Sequence, residues 1–434
     1  MTVLSIALVG FLFSQGYLKL NKVFNGNATS VASLTSEVDP DKLKGEGDGR
    51  VNVLLLGRGG GTHEAPDLTD TIILASIDPV NHTASLLSIP RDLWVNVPSQ
   101  GAMKINAAWE MGEFKYLGRI EPGSNDPLAI QAGFSMVDQV VEEVLGVPIH
   151  YNVLLDFKAF QQAIDTVNGV TVNVPTDLFD PTMAWENGRN PVLATAGTQT
   201  FGGKKALIYV RSRETTSDFA RSQRQRTVMV ALKDKVDNLG TLSNPIKISG
   251  LLGAFGNNVQ TDLSLKDASR MYSILKQIND KKVSSIGLAE GNNRYITTGA
   301  IAGQSVAYPM AGLFDYTAIQ GFVRAQLPDG YILKEKAKIM VLNGTTAEGA
   351  STAKVDELKS YGYNVVAVGK SPTSNYKKTQ LISLSSAKDR YKYTTNYLQR
   401  RLHVTVKTSL PDKSIQPNGA NFVIIVGSDE TNSP

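Results

Sequence analysis

Residues 209–226, YVRSRETTSDFARSQRQR, place Arg211, Arg213, Arg221, Arg224 and Arg226 in one short stretch that contains no lysine. Lysine would serve solubility equally well. Arginine is preferred where a planar fork must hold phosphate or carboxylate oxygens in fixed geometry. With Asp218 as the cap of a following helix, Arg221, Arg224 and Gln225 share one face by three- and four-residue spacing. They fall in its first turns, where backbone N–H groups and the helix dipole favour an anion. Arg211 and Arg213 arrive from the preceding segment and point the same way only if that segment is extended. The competing reading is a solvated basic face paired locally with Glu214 and Asp218, because exposed ion pairs are common and weak. Arg224 and Arg226 stay outside the anion-binding set, and Arg226 is read as solvated surface.

Other residues point toward the same chemistry. In SIPRDLWVNVP (88–98), Arg91 and Asp92 follow an apolar strand, at the end where open α/β sheets bind ligands; an internal ion pair is the alternative. In LLLGRGGGTHEAPDLTDT (54–71), Asp70 starts a strand beside a glycine-rich loop, where a carboxylate can hold magnesium; a structural turn carboxylate is the alternative. The loop has neither a Gly-Lys-Ser/Thr ending nor a G-x-G-x-x-G opening a helix, so it is a weak nucleotide signature. KINAAWEMG (104–112) adds Lys104 and Asn106 before a helix that Asn106 could cap. Arginines, carboxylates and a divalent cation suit a pyrophosphate, since phosphoryl transfer needs mainly positioning and stabilisation of charge on oxygen.

Such side chains need a scaffold, and the patterning supplies one. Apolar β-branched runs at 51–57, 71–78 and 83–90, bounded by Gly, Pro and Asn, read as strands of a sheet covered on both faces. Ile130, Phe134, Val137, Val141, Val144 and Leu145 define a helix with Asn125 or Asp126 as cap, Pro127 in its first turn and Gly146 beyond its end. A strand at 151–157, a helix stopped at Asn168-Gly169, a strand at 170–175 and helices at 202–211 and 219–239 follow. This alternation predicts an α/β domain over 50–330, a central mixed sheet flanked by helices on both faces. After a linker at 331–336, strands at 337–345, 364–369 and 422–427 with helices at 347–361 and 386–401 predict a smaller α/β domain over 337–428, then a tail at 429–434.

The 434 residues are too many for one typical core, and 42% hydrophobic with 19% charged residues is ordinary for folded protein. Net charge is +4, from 44 basic and 40 acidic residues, too mild to announce a nucleic-acid binder. The absence of cysteine excludes disulfides, thiolate metal sites and a cysteine nucleophile, and four histidines supply a His-rich metal site poorly. Residues 3–20, VLSIALVGFLFSQGYLKL, are apolar and span about 27 Å as a helix, enough for a bilayer core. They are read as a transmembrane anchor over 1–21, against the alternative of a cleaved signal, with the domains outside the cytoplasm. Residues 22–49, rich in Asn, Ser, Thr, Gly and Asp, read as a linker.

The ordered series VNVLLLG, DLTDT, LLSIPRDLWV, KINAAW, GGKKALIYVRSR and DFARSQRQR resembles the LytR-CpsA-Psr family of cell-wall proteins over about 50–240 and more loosely to 330. The module at 337–428, with VLNGT at its start and VIIVG at its end, is similar to the C-terminal domain of LytR-type members and is read as an interaction or wall-binding domain. The resemblance implies a membrane-anchored, Mg²⁺-dependent phosphotransferase that moves a glycopolymer from a polyprenyl-pyrophosphate carrier to peptidoglycan. It implies that Arg91, Arg211, Arg213, Arg221 and Gln225 hold the pyrophosphate and Asp70 binds magnesium. Asp92, Lys104 and Asp218 would shape or neutralise the site, with the lipid in an apolar tunnel. The chain departs from the family pattern where Gly-Thr-Asp and Arg-Ser-Asp are usual, with Gly57-Arg58-Gly59 and Leu68-Thr69-Asp70 instead. Arg58 and Asp67 lie close enough in sequence to substitute, which would make Asp67 a second metal ligand. Rival readings are hydrolysis of the same pyrophosphate by water, and a non-catalytic tether for lipid-linked polymer. A nucleic-acid-binding regulator is disfavoured by the apolar amino terminus and the mild charge.

Overall fold

The computed structural model describes residue 34 and residues 38–43, 46–61, 63–121, 123–124, 126–212, 218–238, 258–289, 294–384 and 390–431. The expected anchor at 3–20, and Arg213, lie outside the described residues. Two compact units emerge, one including Asn52–Ile77 and Thr83–Ile319, the other Val31–Val51, Asp78–His82 and Gln320–Pro434.

In the first unit β1 (Val51–Arg58), β2 (Thr69–Asp78) and β3 (Thr83–Ser88) form the middle of a six-stranded sheet. Their apolar runs are buried almost throughout, as expected for a covered sheet. The hairpin of β4 (Trp94–Val97) and β5 (Gly101–Lys104) follows, then α1 (Ala108–Leu117) and α2 (Pro127–Leu145). Asp126 caps α2 by accepting from the N–H groups of Leu128 and Ala129, Pro127 opens it, and Gly146 ends it at φ 68°. Strand β6 (Tyr151–Asp156) runs parallel to β1. Helix α3 (Phe157–Thr166) leads to β7 (Val170–Val174), β8 (Leu178–Phe179), β9 (Val192–Ala194) and β10 (Gly197–Phe201), followed by α4 (Gly203–Arg211) and α5 (Asp218–Asn238).

The central sheet has the order β11-β6-β1-β2-β3-β12, with β11 at Val259–Thr261 and β12 at Val283–Gly287. It is mixed: β12 is parallel to β3, and β11 is antiparallel to β6. Strands β11 and β12 carry no strand signal in the sequence, because edge strands of three and five residues have little apolar pattern. Strand β7 has the predicted alternation but lies outside this sheet, pairing antiparallel with β10. The hairpin of β13 (Ile296–Ile301) and β14 (Gln304–Pro309) follows.

In the second unit β15 (Lys338–Asn343) lies parallel to both β16 (Asn364–Lys370) and β19 (Phe422–Val426). With β17 (Gln380–Ser383) and β18 (Val406–Lys407) they form a five-stranded sheet. The chain passes from the first unit to the second within the helix Thr317–Gln326, earlier than the boundary expected at 330. Residues 331–336, expected as a linker, instead belong largely to the helix Gly330–Glu335, with Tyr331 and Ile332 in the core of this unit. Part of the expected 22–49 linker is also folded here, since Val38 and Leu43 are buried in that core and Glu46 pairs with Arg401. Polar composition hid two well-placed apolar side chains.

Candidate functional site

At one edge of the central sheet, the start of β2 lies beside the exit from β3. Asp70 is the second residue of β2, and Arg91-Asp92 follow β3 by a short turn whose Ile89 N–H donates to the carbonyl of Ile72. Arg91 Nη1 donates to Asp70 Oδ1 at 2.7 Å, and Arg91 Nε lies 3.5 Å from Asp92 Oδ2. Lys104, the last residue of β5, donates to Asp92 Oδ1 at 2.8 Å. Asn106 adds a longer hydrogen bond to Asp70 Oδ1 at 3.3 Å, while its carbonyl accepts from Thr69 Oγ1. It therefore orients Asp70 and does not cap a helix.

Helix α5 reaches into this cluster from the other side. Arg221 Nη2 donates to the carbonyl of Asp70 at 3.3 Å. Gln225, one turn later, donates to Thr71 Oγ1 at 2.9 Å and to the carbonyl of Val210 at 3.4 Å. Gln225 thus ties the last turn of α4 to the start of β2, which brings Arg211 to the same edge. Because residues up to 211 are helical, the extended arrangement of Arg211 and Arg213 does not hold at Arg211. Asp218 opens α5, and its side chain lies outside the described residues.

Arg211 has a setting with no signal in the sequence. Its Nη1 donates to both oxygens of Glu186, each at 2.9 Å, and its guanidinium lies 4.7 Å from the ring centre of Phe157. His63, from the glycine-rich loop, meets the same ring edge-on at 5.5 Å. Glu186 comes from a loop 25 residues away, and no local pattern could pair them. Arg91, Lys104 and Arg221 therefore stand with Asp70 and Asp92, while Arg211, paired with Glu186, ends the helix whose last turn Gln225 bonds. An anion entering here meets guanidinium forks already oriented by carboxylates, a preorganised arrangement that limits reorganisation during reaction.

The two remaining arginines have other tasks. Arg224 is buried, with Nε donating to the carbonyl of Tyr209 at 3.0 Å and Nη2 bonded to the carbonyl of Ser212, so it caps the carboxyl end of α4. Arg226, expected on the surface, is 1% exposed. It bonds Ser88 Oγ at 2.6 Å and Ser285 Oγ, bridging β3 and β12. Helix α5 packs against β7 and α4 as well as β12, so a residue off its site-facing stripe meets protein rather than water.

Asp67 does not fit a metal ligand. Its Oδ1 accepts from Arg58 at 2.7 Å and its Oδ2 from the Gly123 N–H at 2.8 Å. Asp70 fits better: its side chain is 30% exposed, and its two side-chain donors both use Oδ1. Among the described residues no cluster of three His, Asp or Glu could hold a metal. Beside Arg58 and Asp67, burial and then the Asp67 charge push the Glu113 carboxyl up to about 8.

A mixed α/β sheet with a cationic cluster at its strand ends, followed by a small second α/β unit, defines a protein built to hold an anionic ligand. The chain belongs to the LytR-CpsA-Psr family: the LytR_cpsA_psr family model matches residues 17–307. A second model, described as LytR cell envelope-related transcriptional attenuator, matches residues 336–429. The polyisoprenyl-teichoic acid–peptidoglycan teichoic acid transferase TagT of Bacillus subtilis is 30% identical over 284 residues, covering 64% of this chain and 80% of TagT. The equivalently named TagU of Oceanobacillus iheyensis is 34% identical over 272 residues, covering 60% of this chain and 76% of TagU. A solved structure described as TagT bound to LIIa-WTA superposes with a TM-score of 0.50 at 28% identity, covering 71% of this chain and 98% of that one.

Proposed function

We propose that this protein transfers a glycopolymer from a polyprenyl-pyrophosphate carrier to peptidoglycan, leaving a phosphodiester link. The observation that carries the reading is the Asp70–Arg91–Asp92–Lys104 chain of ion pairs, joined by Arg221, at the strand ends of the central sheet in a family member similar to TagT and TagU.

Arg91, Arg211 and Arg221 hold the oxygens of the pyrophosphate, with Arg213 and Asp218 assigned beside them by the family pattern. Lys104 keeps Asp92 engaged, so that carboxylate does not repel the phosphate at full strength. The acceptor sugar hydroxyl forms a bond to the phosphorus that carries the glycopolymer and gives up its proton to solvent, the bridging P–O bond breaks, and polyprenyl phosphate departs. Charge accumulates on oxygens that the guanidinium groups already face, which is where preorganised donors lower a barrier most. A magnesium ion shared by Asp70 and the pyrophosphate would neutralise further charge on those oxygens. The apolar segment at 3–20 is assigned the role of single membrane anchor, holding the catalytic unit outside the cytoplasm beside the lipid carrier.

The test is transfer of a radiolabelled sugar from a polyprenyl-pyrophosphate donor to peptidoglycan by the purified protein. Arg91→Ala and Arg211→Ala are each expected to lose on the order of 10²–10³-fold in rate, as when an oxyanion-stabilising donor is removed. Wild-type-like transfer by both would sink the reading. Release of labelled sugar phosphate together with polyprenyl phosphate in the absence of peptidoglycan would assign the site to hydrolysis instead.

A further inference from the structure

Trp185 is the exposed tryptophan of this chain, at 73%, whereas Trp94 and Trp109 are buried. Singly exposed apolar side chains are common, so the indole is notable for what it adjoins. It directly precedes Glu186, both of whose oxygens accept from Arg211. The indole therefore projects from a backbone position about 3.8 Å from that of the residue gripping a site arginine.

The loop that carries it is well tied. Asp180, buried at its start, accepts from the N–H and hydroxyl of Thr182 and from Ser212 Oγ. Asn187 donates to the carbonyls of Asn190 and Val192, and accepts from Lys205 Nζ at 2.9 Å. Met183 is buried beneath. Backbone on both sides of Trp185 is thus fixed, and an aromatic side chain has few rotamers to lose on binding.

We propose that Trp185 is a stacking platform for a pyranose ring of the glycan substrate, held next to the phosphate that Arg211 grips. This rests on the transfer reading above. A sugar ring presents C–H groups on one face and hydroxyls around its rim, so it suits an isolated aromatic face with polar surroundings. Glu186, Asn187, Arg189 and Asn190 supply such surroundings on the same loop. A polyprenyl chain would want continuous apolar surface, which this loop lacks. The ring could belong to the sugar on the donor pyrophosphate or to the peptidoglycan acceptor, and the two are separable.

Because the other two tryptophans are buried, acrylamide quenching of intrinsic fluorescence reports mainly on Trp185. The full-length protein in detergent is titrated with three probes: polyprenyl pyrophosphate bearing N-acetylglucosamine, sugar-free polyprenyl pyrophosphate, and the N-acetylglucosamine–N-acetylmuramic acid disaccharide. At least one sugar-bearing probe is expected to shield Trp185, and which one does so identifies the source of the ring. Trp185→Ala is expected to weaken binding of that probe roughly fivefold, equivalent to an aromatic contact of about 1 kcal/mol. Trp185→Phe should retain most of the affinity, and affinity for the sugar-free lipid should not change. No shielding by either sugar-bearing probe, or unchanged glycan affinity in Trp185→Ala, overturns the platform. Failure of the sugar-free lipid to bind wild-type protein would count against the transfer reading instead, leaving the disaccharide arm to judge Trp185 alone.

Discussion

Arg58 Nη1 stands 2.7 Å from Asp67 Oδ1, with both side chains buried, and the guanidinium lies over the Trp109 ring at 5.0 Å. These are the two residues close enough in sequence to substitute for the arginine and aspartate missing from the Gly-Thr-Asp and Arg-Ser-Asp pattern. The opposite charges are both present, but they face each other. Removing one member of such a pair leaves a buried charge uncompensated. Arg58→Ala and Asp67→Ala are each expected to lose about 3–5 kcal/mol of stability. Denaturant unfolding measures this, and wild-type midpoints for both variants would contradict it.

The pair also separates the two candidate metal carboxylates. Asp67→Asn preserves shape and leaves the proposed magnesium site untouched, so the half-saturating magnesium concentration for transfer should stay at its wild-type value. Asp70→Asn should raise it on the order of tenfold or more, the scale of losing a group that supports a metal. The reverse order in a magnesium titration would reassign the ligand.

Arg226 joins β3 to β12 through Ser88 and Ser285. Arg226→Ala leaves the buried Ser88 hydroxyl without this partner and should cost about 1–3 kcal/mol. A surface arginine would cost almost nothing on substitution. Thermal melting of the folded variant distinguishes the two.

Glu113 is 4% exposed, and its Oε1 is buried without a hydrogen-bond partner. Burial, reinforced by Asp67, Glu110 and Glu121 and opposed by Arg58, raises its carboxyl to about 8. The folded state therefore holds this proton more tightly than the unfolded state. The stability it contributes is complete below the ordinary glutamate range and is lost as pH rises toward and through about 8. Glu113→Gln, which cannot ionise, should melt roughly 2–4 °C above wild type at pH 9 and show no such gain at pH 5. An equal shift at both pH values would remove Glu113 as the cause.

The periodicity of Phe134, Val137 and Val141, the cap at Asp126 and the apolar runs of β1 to β3 were legible in the sequence, because each is a local property of the chain. Arg91, Asp92 and Arg211 are likewise visible in the sequence as charges placed where apolar patterning ends. The sequence also determined that arginines cluster in 209–226. It did not determine what each one meets. Arg211 found Glu186 and Phe157, Arg224 found the carbonyls ending α4, and Arg226 found serines on two strands. Those partners lie between about 12 and 138 positions away in the chain, and only the packing of α5 against sheet and helix brings them within hydrogen-bond distance. Spacing along a helix fixes which side chains share a face; what covers that face is decided by the tertiary structure.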